Sequence, residues 1–308
     1  MKTCDVWVFH VGRGVAGAIR TPAGKWIIVD LGASSDFCPV EDFLLNNLPI
    51  EKEGERRNLE QLIISHPHND HMTALKRFDE NYTPGFLTVP NDNDGQNDKK
   101  KVNWERIQNP DDELTNYLRE KVLLGRQPPL VAVKDNTEGF HFEIYYLDPH
   151  VCENDEDLST SNYANNISIV ARVYYKGSVV LFAGDMMKDG MKKLIDTTGL
   201  GKRLEDSGVH FLVAPHHGLR SSFSVDLFDK MKGGKSALNI ISEKETIADS
   251  NEIVDERYGK EDYASGHKVQ IDGESVSKRK IRTSVVGHIR MRLFENGNRL
   301  VTTGDVVL

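Results

Sequence analysis

His66-Pro67-His68-Asn69-Asp70-His71 puts three imidazoles and a carboxylate into six consecutive residues. Before it, Gln61-Leu62-Ile63-Ile64-Ser65 reads as a short buried strand, and after it Met72-Thr73-Ala74-Leu75-Lys76-Arg77-Phe78 reads as the start of a helix. The cluster thus stands where a strand hands over to a helix, the usual place for a site in an α/β protein. So many polar ring atoms cannot be buried without partners. A pair of metal ions would supply those partners. His66 and His68 alternate to one side of an extended segment, and Asp70 and His71 sit on the turn beyond, so two ions a few ångströms apart come within reach. A histidine-rich surface turn accounts for any one of these residues but not for their spacing.

Outward from this cluster, strand signals recur at Val6–Val11, Trp26–Asp30, Leu62–Ser65, Phe86–Val89, Leu130–Val133 and Phe142–Leu147. More follow at Ile167–Tyr175, Ser178–Ala183, Phe211–Ala214 and Leu238–Ser242, with a terminal set from Ser284 onward. Helical patterns fill Val40–Leu48, Met72–Phe78, Asp112–Leu124, Met186–Thr197 and Val225–Lys232. Two facing sheets with helices outside would bury so many apolar strands, which makes the fold class α/β. The 308 residues read as a single domain, 1–308, with loop insertions near 91–109 and 243–272. Trp104 is a candidate anchor for a flap in the first insertion. The polar run Glu153–Asn166 reads as a further loop.

Composition narrows the function classes. Hydrophobic residues at 38% and charged residues at 28% are ordinary for a globular enzyme. No apolar run approaches a membrane span and no basic-then-apolar leader is present, so no membrane partner is expected. Cys4, Cys38 and Cys152 are widely spaced and outside any metal pattern. An odd count without an export signal points to a reducing cytoplasm. The net charge of -8 argues against tight, non-specific binding of long nucleic acid. It leaves a nuclease open, since metals bring positive charge to the phosphate. Lys99-Lys100-Lys101, and Lys278-Arg279-Lys280 with Arg282, are the two basic clusters, and the first reads as a solvated face.

The cluster at 66–71 matches the His-x-His-x-Asp-His motif of the metallo-β-lactamase fold, and the rest of the chain extends the resemblance. Val29-Asp30-Leu31-Gly32 resembles that fold's first motif, Ala183-Gly184-Asp185 its fourth, and Ala214-Pro215-His216-His217-Gly218 its last. The resemblance implies an αββα four-layer sandwich with metals at one edge between the sheets. A narrower resemblance is to the hydrolase domain of competence DNA-uptake channels (ComEC-like), here without the channel. It rests on Val6–Ala16, Ile19–Lys25, Asn165-Asn166-Ile167-Ser168-Ile169-Val170 and His216-His217-Gly218-x-x-Ser221-Ser222. Arg257-Tyr258-Gly259, Arg282-Thr283 and Gly287-His288-Ile289 resemble that group's closing strands. Two positions depart from it. Val15 stands where the group has Asp, and Lys260-Glu261 stands where it has His-Pro; these bear on substrate choice, not on ligands.

The resemblance implies one metal on His66, His68 and Asp185, and a second on Asp70, His71, His216 and the shared Asp185. Nitrogen and carboxylate donors without thiolates suit two divalent ions, Zn²⁺ or Mn²⁺. Many relatives carry another ligand histidine before the bridging Asp. Here only His141, which reads as structural, and His150 lie in that interval, so one metal is expected to be short of a ligand. His216 and His217 are adjacent and expected to diverge. His217 would then donate a proton to the leaving oxygen or orient a ligand, or else be a buried histidine bonded to backbone. Asp70 and His217 are the catalytic candidates; Asn166, Arg220 and Ser222 are candidates for phosphate contacts. Asp30 is expected to brace the ligand loop. The expected function is a binuclear-metal phosphodiesterase or nuclease using a metal-bridged hydroxide, with nucleic acid or a nucleotide as substrate. The alternatives are a lactone, thioester or β-lactam hydrolase on the same site, and a non-catalytic partner module on the same fold.

Overall fold

Along strand β1 (Thr3–Val8), Val6 and Val8 point to one face and Trp7 to the other, and all three are fully buried. The computed structural model shows the same two-sided burial in Trp26–Leu31, Val170–Tyr175 and Ser178–Phe182, which is why they read as largely continuous apolar runs. It describes residues 1–49, 55–90, 102–107, 112–124, 132–159, 162–243 and 253–304.

The strands that follow are β2 (Ala16–Arg20), β3 (Trp26–Leu31), β4 (Arg57–Ile63), β5 (Tyr82–Thr88), β6 (Phe140–Tyr145), β7 (Val170–Tyr175) and β8 (Ser178–Phe182). Then come β9 (Phe211–Val213), β10 (Leu238–Ile241), β11 (His267–Ile271), β12 (Glu274–Lys278), β13 (Lys280–Arg282), β14 (His288–Phe294) and β15 (Arg299–Gly304). They form a nine-stranded sheet, β12-β11-β15-β14-β1-β2-β3-β4-β5, and a six-stranded sheet, β13-β10-β9-β8-β7-β6.

One apolar cluster joins residues of both sheets: Val6, Val8, Ile27, Val29 and Ile63 meet Val180, Phe182, Phe211, Val213 and Ile240. The alternate residues feed two outer clusters. Trp7, Ile28 and Leu62 pack with Phe43, Leu75 and Phe78 of the segments that cover the larger sheet. Val179, Leu181 and Leu212 pack with Leu194, Leu204, Leu227 and Phe228 of the helices Lys188–Thr197, Leu200–Ser207 and Val225–Lys230. Helices therefore cover the outside of both sheets, and the expected αββα layering is what forms.

Parallel pairing decides where a site can lie. β3, β4 and β5 run parallel, as do β8, β9, β10 and β13, so their carboxyl ends gather at one edge. Polar loops leave the sheets there. The Ile169 N–H donates to the Ser65 carbonyl at 2.9 Å, stitching the two sheets together at that edge.

Some expectations need correction. The segment 243–272 is not all loop and short helix, because His267–Ile271 is strand β11, paired with β15 and β12. Only Val269 of that strand is fully buried, with Ile271 partly buried against the same core, so its alternation is too faint to read. Of the rest, 244–252 lie outside the described residues, and Glu256–Gly259 is one short helical turn. The run 153–166 is short helix, at Pro149–Asn154, Glu156–Ser159 and Tyr163–Asn166, so β7 starts at Val170 and not at Ile167. In the first insertion, 91–101 and 108–109 lie outside the described residues, as do Lys99–Lys101 and Leu130. Trp104 opens a short turn, Trp104–Arg106, and packs against two of the core clusters. The helix Leu200–Ser207 had no counterpart among the expected elements.

His210 links this frame to pH. Its Nδ1 accepts the Val179 N–H at 3.2 Å, which requires a neutral ring. Burial, helped by Arg299 and His267, pushes its pKa down from 6.5 to about 4. A depressed folded-state value means stability that is complete above the unfolded value and is lost as pH falls through the folded one. The unfolding temperature is therefore expected to drop between pH 6.5 and about pH 4. Thermal melts of the His210→Leu variant beside the wild type should show a smaller acid loss in the variant.

Candidate metal centre

Five strand ends supply the site. β3 ends with Asp30 in the left-handed region, φ 61°, a conformation that Asp tolerates better than most residues. Its buried carboxylate accepts three hydrogen bonds: from the Ser65 N–H at 2.6 Å, the Ser65 hydroxyl at 2.8 Å and His71 Nδ1 at 2.9 Å. The bond to Nδ1 places the proton there and turns the lone pair of Nε2 inward. Asp30 thus braces the loop that carries the histidines.

After β4, His66 is fully buried and its Nε2 lies 3.0 Å from His68 Nδ1. Gly14 and Gly32 close on the backbone of Asp70. A Cβ on either would come within 2.2 Å and 2.5 Å of the Asp70 carbonyl oxygen, so no larger residue fits without moving the loop. After β8, Gly184 turns at φ +55°, and the Asp185 N–H donates to Ser168 Oγ at 3.1 Å. The Asp185 carboxylate, 2% exposed, then reaches in two directions. Oδ1 lies 3.3 Å from His71 Nε2, and Oδ2 lies 3.7 Å from His66 Nε2.

After β9 the chain takes three successive left-handed residues, His216 (φ 47°), His217 (φ 55°) and Gly218 (φ 72°). This turn is the reason the adjacent imidazoles do not diverge as expected. Nε2 of each lies 3.8 Å from Asp185 Oδ2, and His217 Nε2 also lies 3.4 Å from Asp70 Oδ2. Ser222 Oγ, 3.0 Å from both the Pro215 and Leu219 carbonyls, braces the turn. After β10, the Ser242 carbonyl accepts His217 Nδ1–H at 3.0 Å, so Nε2 again carries the lone pair.

Two donor groups result, each with its ligand atoms within 4.8 Å of one another: His66, His68 and Asp185, and Asp70, His71 and His217. The first has the residues that the resemblance implied. In the second, His217 stands where His216 was expected. The residues fit a metal pair. Nε2 of His68, His71 and His217 and Oδ1 of Asp185 are buried and, among the described residues, accept no hydrogen bond. Orphaned lone pairs converging in this way are what a cation would satisfy.

The electrostatics favour positive charge. Burial and the neighbouring His71 push His66 well below the usual imidazole value. Burial opposes charge on His71 too, but Asp185 and Asp30 outweigh it and hold its pKa well above that value. His217 is raised likewise, burial being outweighed by Asp185 and Asp70. Burial also works against the carboxylates of Asp70 and Asp185, yet the surrounding imidazoles keep both below the usual range. Both acids are therefore ionised at neutral pH and focus negative potential on the enclosed space.

The other candidates are placed differently. Asn166 is 2% exposed; its amide donates to the Leu158 carbonyl at 3.2 Å, and its Oδ1 faces Gly190. Ser222 is fully buried on backbone carbonyls. Neither presents a polar group to an incoming phosphate, because each is used in holding backbone. Arg220 is exposed on the turn after the histidine pair. His150 is exposed on the first turn of a helix, bonded to Asp148 and Asn154, and belongs to neither donor group. Sequence reading gave Ser242 no role, since a lone serine after a strand carries no signal of its own.

Residues 11–152, a little under half of the chain, match the family model of the metallo-β-lactamase superfamily. The matched segment contains the 66–71 cluster and ends before Asp185. No curated protein matches the chain. Among solved structures, the metallo-β-lactamase-fold protein YhfI from Bacillus subtilis is similar at 11% identity, covering 80% of this chain and 90% of that one, with a TM-score of 0.39. Igni18, a metallo hydrolase from Ignicoccus hospitalis, is similar at 12% identity over 77% of this chain and 82% of that one, TM-score 0.39. A long-form RNase Z from yeast is similar at 12% identity over 82% of this chain and 40% of that one, TM-score 0.37. No helix among the described residues is long and apolar enough to cross a membrane.

Proposed function

We propose that the chain is a binuclear metal-dependent phosphodiesterase, with Asp185 as the carboxylate shared by the two ions. One observation carries this reading: the Asp185 carboxylate approaches both donor groups, Oδ1 at 3.3 Å from His71 and Oδ2 at 3.7 Å from His66 and 3.8 Å from His217. We assign His66, His68 and Asp185 to one ion and Asp70, His71 and His217 to the other, as Zn²⁺ or Mn²⁺. His216, whose Nε2 approaches the same Asp185 oxygen as His66, is assigned to the first group. It takes the place of the ligand missing from the interval before Asp185. The side chain of His216 is 24% exposed against 10% for His217, so it is also the better placed of the pair to meet a substrate.

Bound divalent ions would supply Lewis acidity and an activated nucleophile at neutral pH. The chain's own residues supply the rest. Asp30 and the Ser242 carbonyl fix the tautomers of His71 and His217. Asp70 and Asp185 supply the carboxylate charge, and His71 and His217, whose pKa values these acids help to raise, would each give up a proton when a cation takes Nε2. Arg220, exposed on the turn that follows His216 and His217, is offered as the cation that meets an anionic oxygen of the substrate. That cation, with the resemblance of 165–170 and 216–222 to the competence-type hydrolases, favours a phosphodiester over a lactone, thioester or β-lactam.

The test is hydrolysis of bis-p-nitrophenyl phosphate and labelled single-stranded DNA with Mn²⁺ or Zn²⁺, beside an Asp70→Ala control. Turnover of both, lost in the control, is the expected result. Turnover of the small ester alone would indicate a nucleotide-sized substrate. No turnover of either by fully metallated protein would overturn the phosphodiesterase reading and direct assays to carboxylic esters.

A further inference from the structure

We infer that Ser242 is a positioning residue that sets the spacing between Asp70 and His217, and so governs one metal of the pair; this rests on the ligand assignment just proposed. Ser242 follows the last residue of β10 and is 1% exposed. It uses two polar groups in two directions. Its carbonyl accepts His217 Nδ1–H at 3.0 Å, and its hydroxyl donates to the Gly14 carbonyl at 2.7 Å. Gly14, at φ +129°, is the residue whose backbone lies against Asp70, closely enough that a Cβ there would meet the Asp70 carbonyl oxygen at 2.2 Å. One residue, through its carbonyl and its hydroxyl, therefore connects the turn that presents His217 to the loop that presents Asp70. The two ligand atoms lie 3.4 Å apart across that connection.

The anchor is firm on its other side. The Glu243 N–H donates to Thr283 Oγ1 at 3.2 Å, and its carboxylate takes Arg282 and the Ser284 hydroxyl. Ser242 thus stands between a pinned segment and a turn built on glycines, and its hydroxyl is the direct bond between them. The first donor group has separate supports. Asp185 is held by Ser168, the backbone at His216 by its N–H bond to the Gly184 carbonyl at 3.0 Å, and the backbone at His66 by the bonds from Ser65 to Asp30. Loss of the Ser242 hydroxyl should therefore reach only the Asp70–His71–His217 group. Loss of an outer support of this kind typically weakens a metal site by about 10–100-fold.

The experiment is a Co²⁺ titration of metal-free protein, read by visible absorption and equilibrium dialysis, for the wild type, Ser242→Ala and Ser242→Thr. The wild type is expected to take up two equivalents. Ser242→Ala should hold one with unchanged affinity and bind the second at least about tenfold more weakly, with the metal-free melting temperature within a few degrees of the wild type. Ser242→Thr, which keeps the hydroxyl, should regain the second. Two equivalents at wild-type affinity in Ser242→Ala would overturn the inference alone. Equal weakening of both equivalents would also overturn it, by showing a general structural role. Fewer than two equivalents in the wild type would overturn the ligand assignment itself, and the inference with it.

Discussion

Asp185→Asn is expected to cost at least about 10³-fold in turnover, because Lewis-acid stabilisation by a bound metal is worth several kcal/mol and each 1.36 kcal/mol is a factor of ten. The amide keeps the size of the side chain and removes the charge that both donor groups lean on. Asp185 Oδ1 and Oδ2 face His71 and His66 at 3.3 and 3.7 Å, and an Asn offers one carbonyl oxygen where two are needed. Metal content should fall from two ions to fewer, measured by elemental analysis after dialysis. The fold should persist, since the Asp185 N–H keeps its bond to Ser168. Wild-type turnover in Asp185→Asn would remove Asp185 from the reaction and with it the shared-carboxylate reading.

The second large effect is expected at a residue that binds no metal. Asp30→Asn preserves a side chain tolerated at φ 61° and changes only what can be accepted. The carboxylate now takes the Ser65 N–H, the Ser65 hydroxyl and His71 Nδ1–H. An Asn presents an NH₂ to at least one of these donors, so two donors oppose each other in a buried place. Leaving a buried group unpaired costs about 1–3 kcal/mol, more where charge is involved. Denaturant titration should show a loss of that size. Metal affinity should drop by about 10–100-fold, as when the carboxylate behind a ligand histidine is removed. Unchanged affinity in a folded Asp30→Asn protein would show that the His71 tautomer is set by the metal and not by Asp30.

The layering of the fold was legible because both faces of the central strands are buried. Val179–Phe182 and Phe211–Val213 are apolar at every position, and a run of that kind leaves few alternatives. Strand β11 was not legible, because only Val269 among His267–Ile271 is fully buried. Much of the site was legible as well, since an imidazole needs partners wherever it is buried. The geometry of the last motif was not. Two adjacent residues diverge in a strand or an ordinary turn, and nothing in the side chains of His216 and His217 announces a left-handed backbone at both. Asn166 and Ser222 show a related ambiguity: polar residues beside a site also serve to satisfy buried backbone, and sequence alone does not separate the two uses.

The donors sit at separate strand ends, from position 66 to position 217, on two sheets joined at that edge by the bond between Ile169 and Ser65. Neither group can be complete in a chain whose sheets have not yet docked, and contacts so distant in sequence are slow to form. A cation that needs all of them should then bind the finished molecule and not its precursors, drawing the population toward it by mass action. Retention of metal through purification would so serve as a test of correct assembly, reporting on the meeting of two sheets from a space a few ångströms wide.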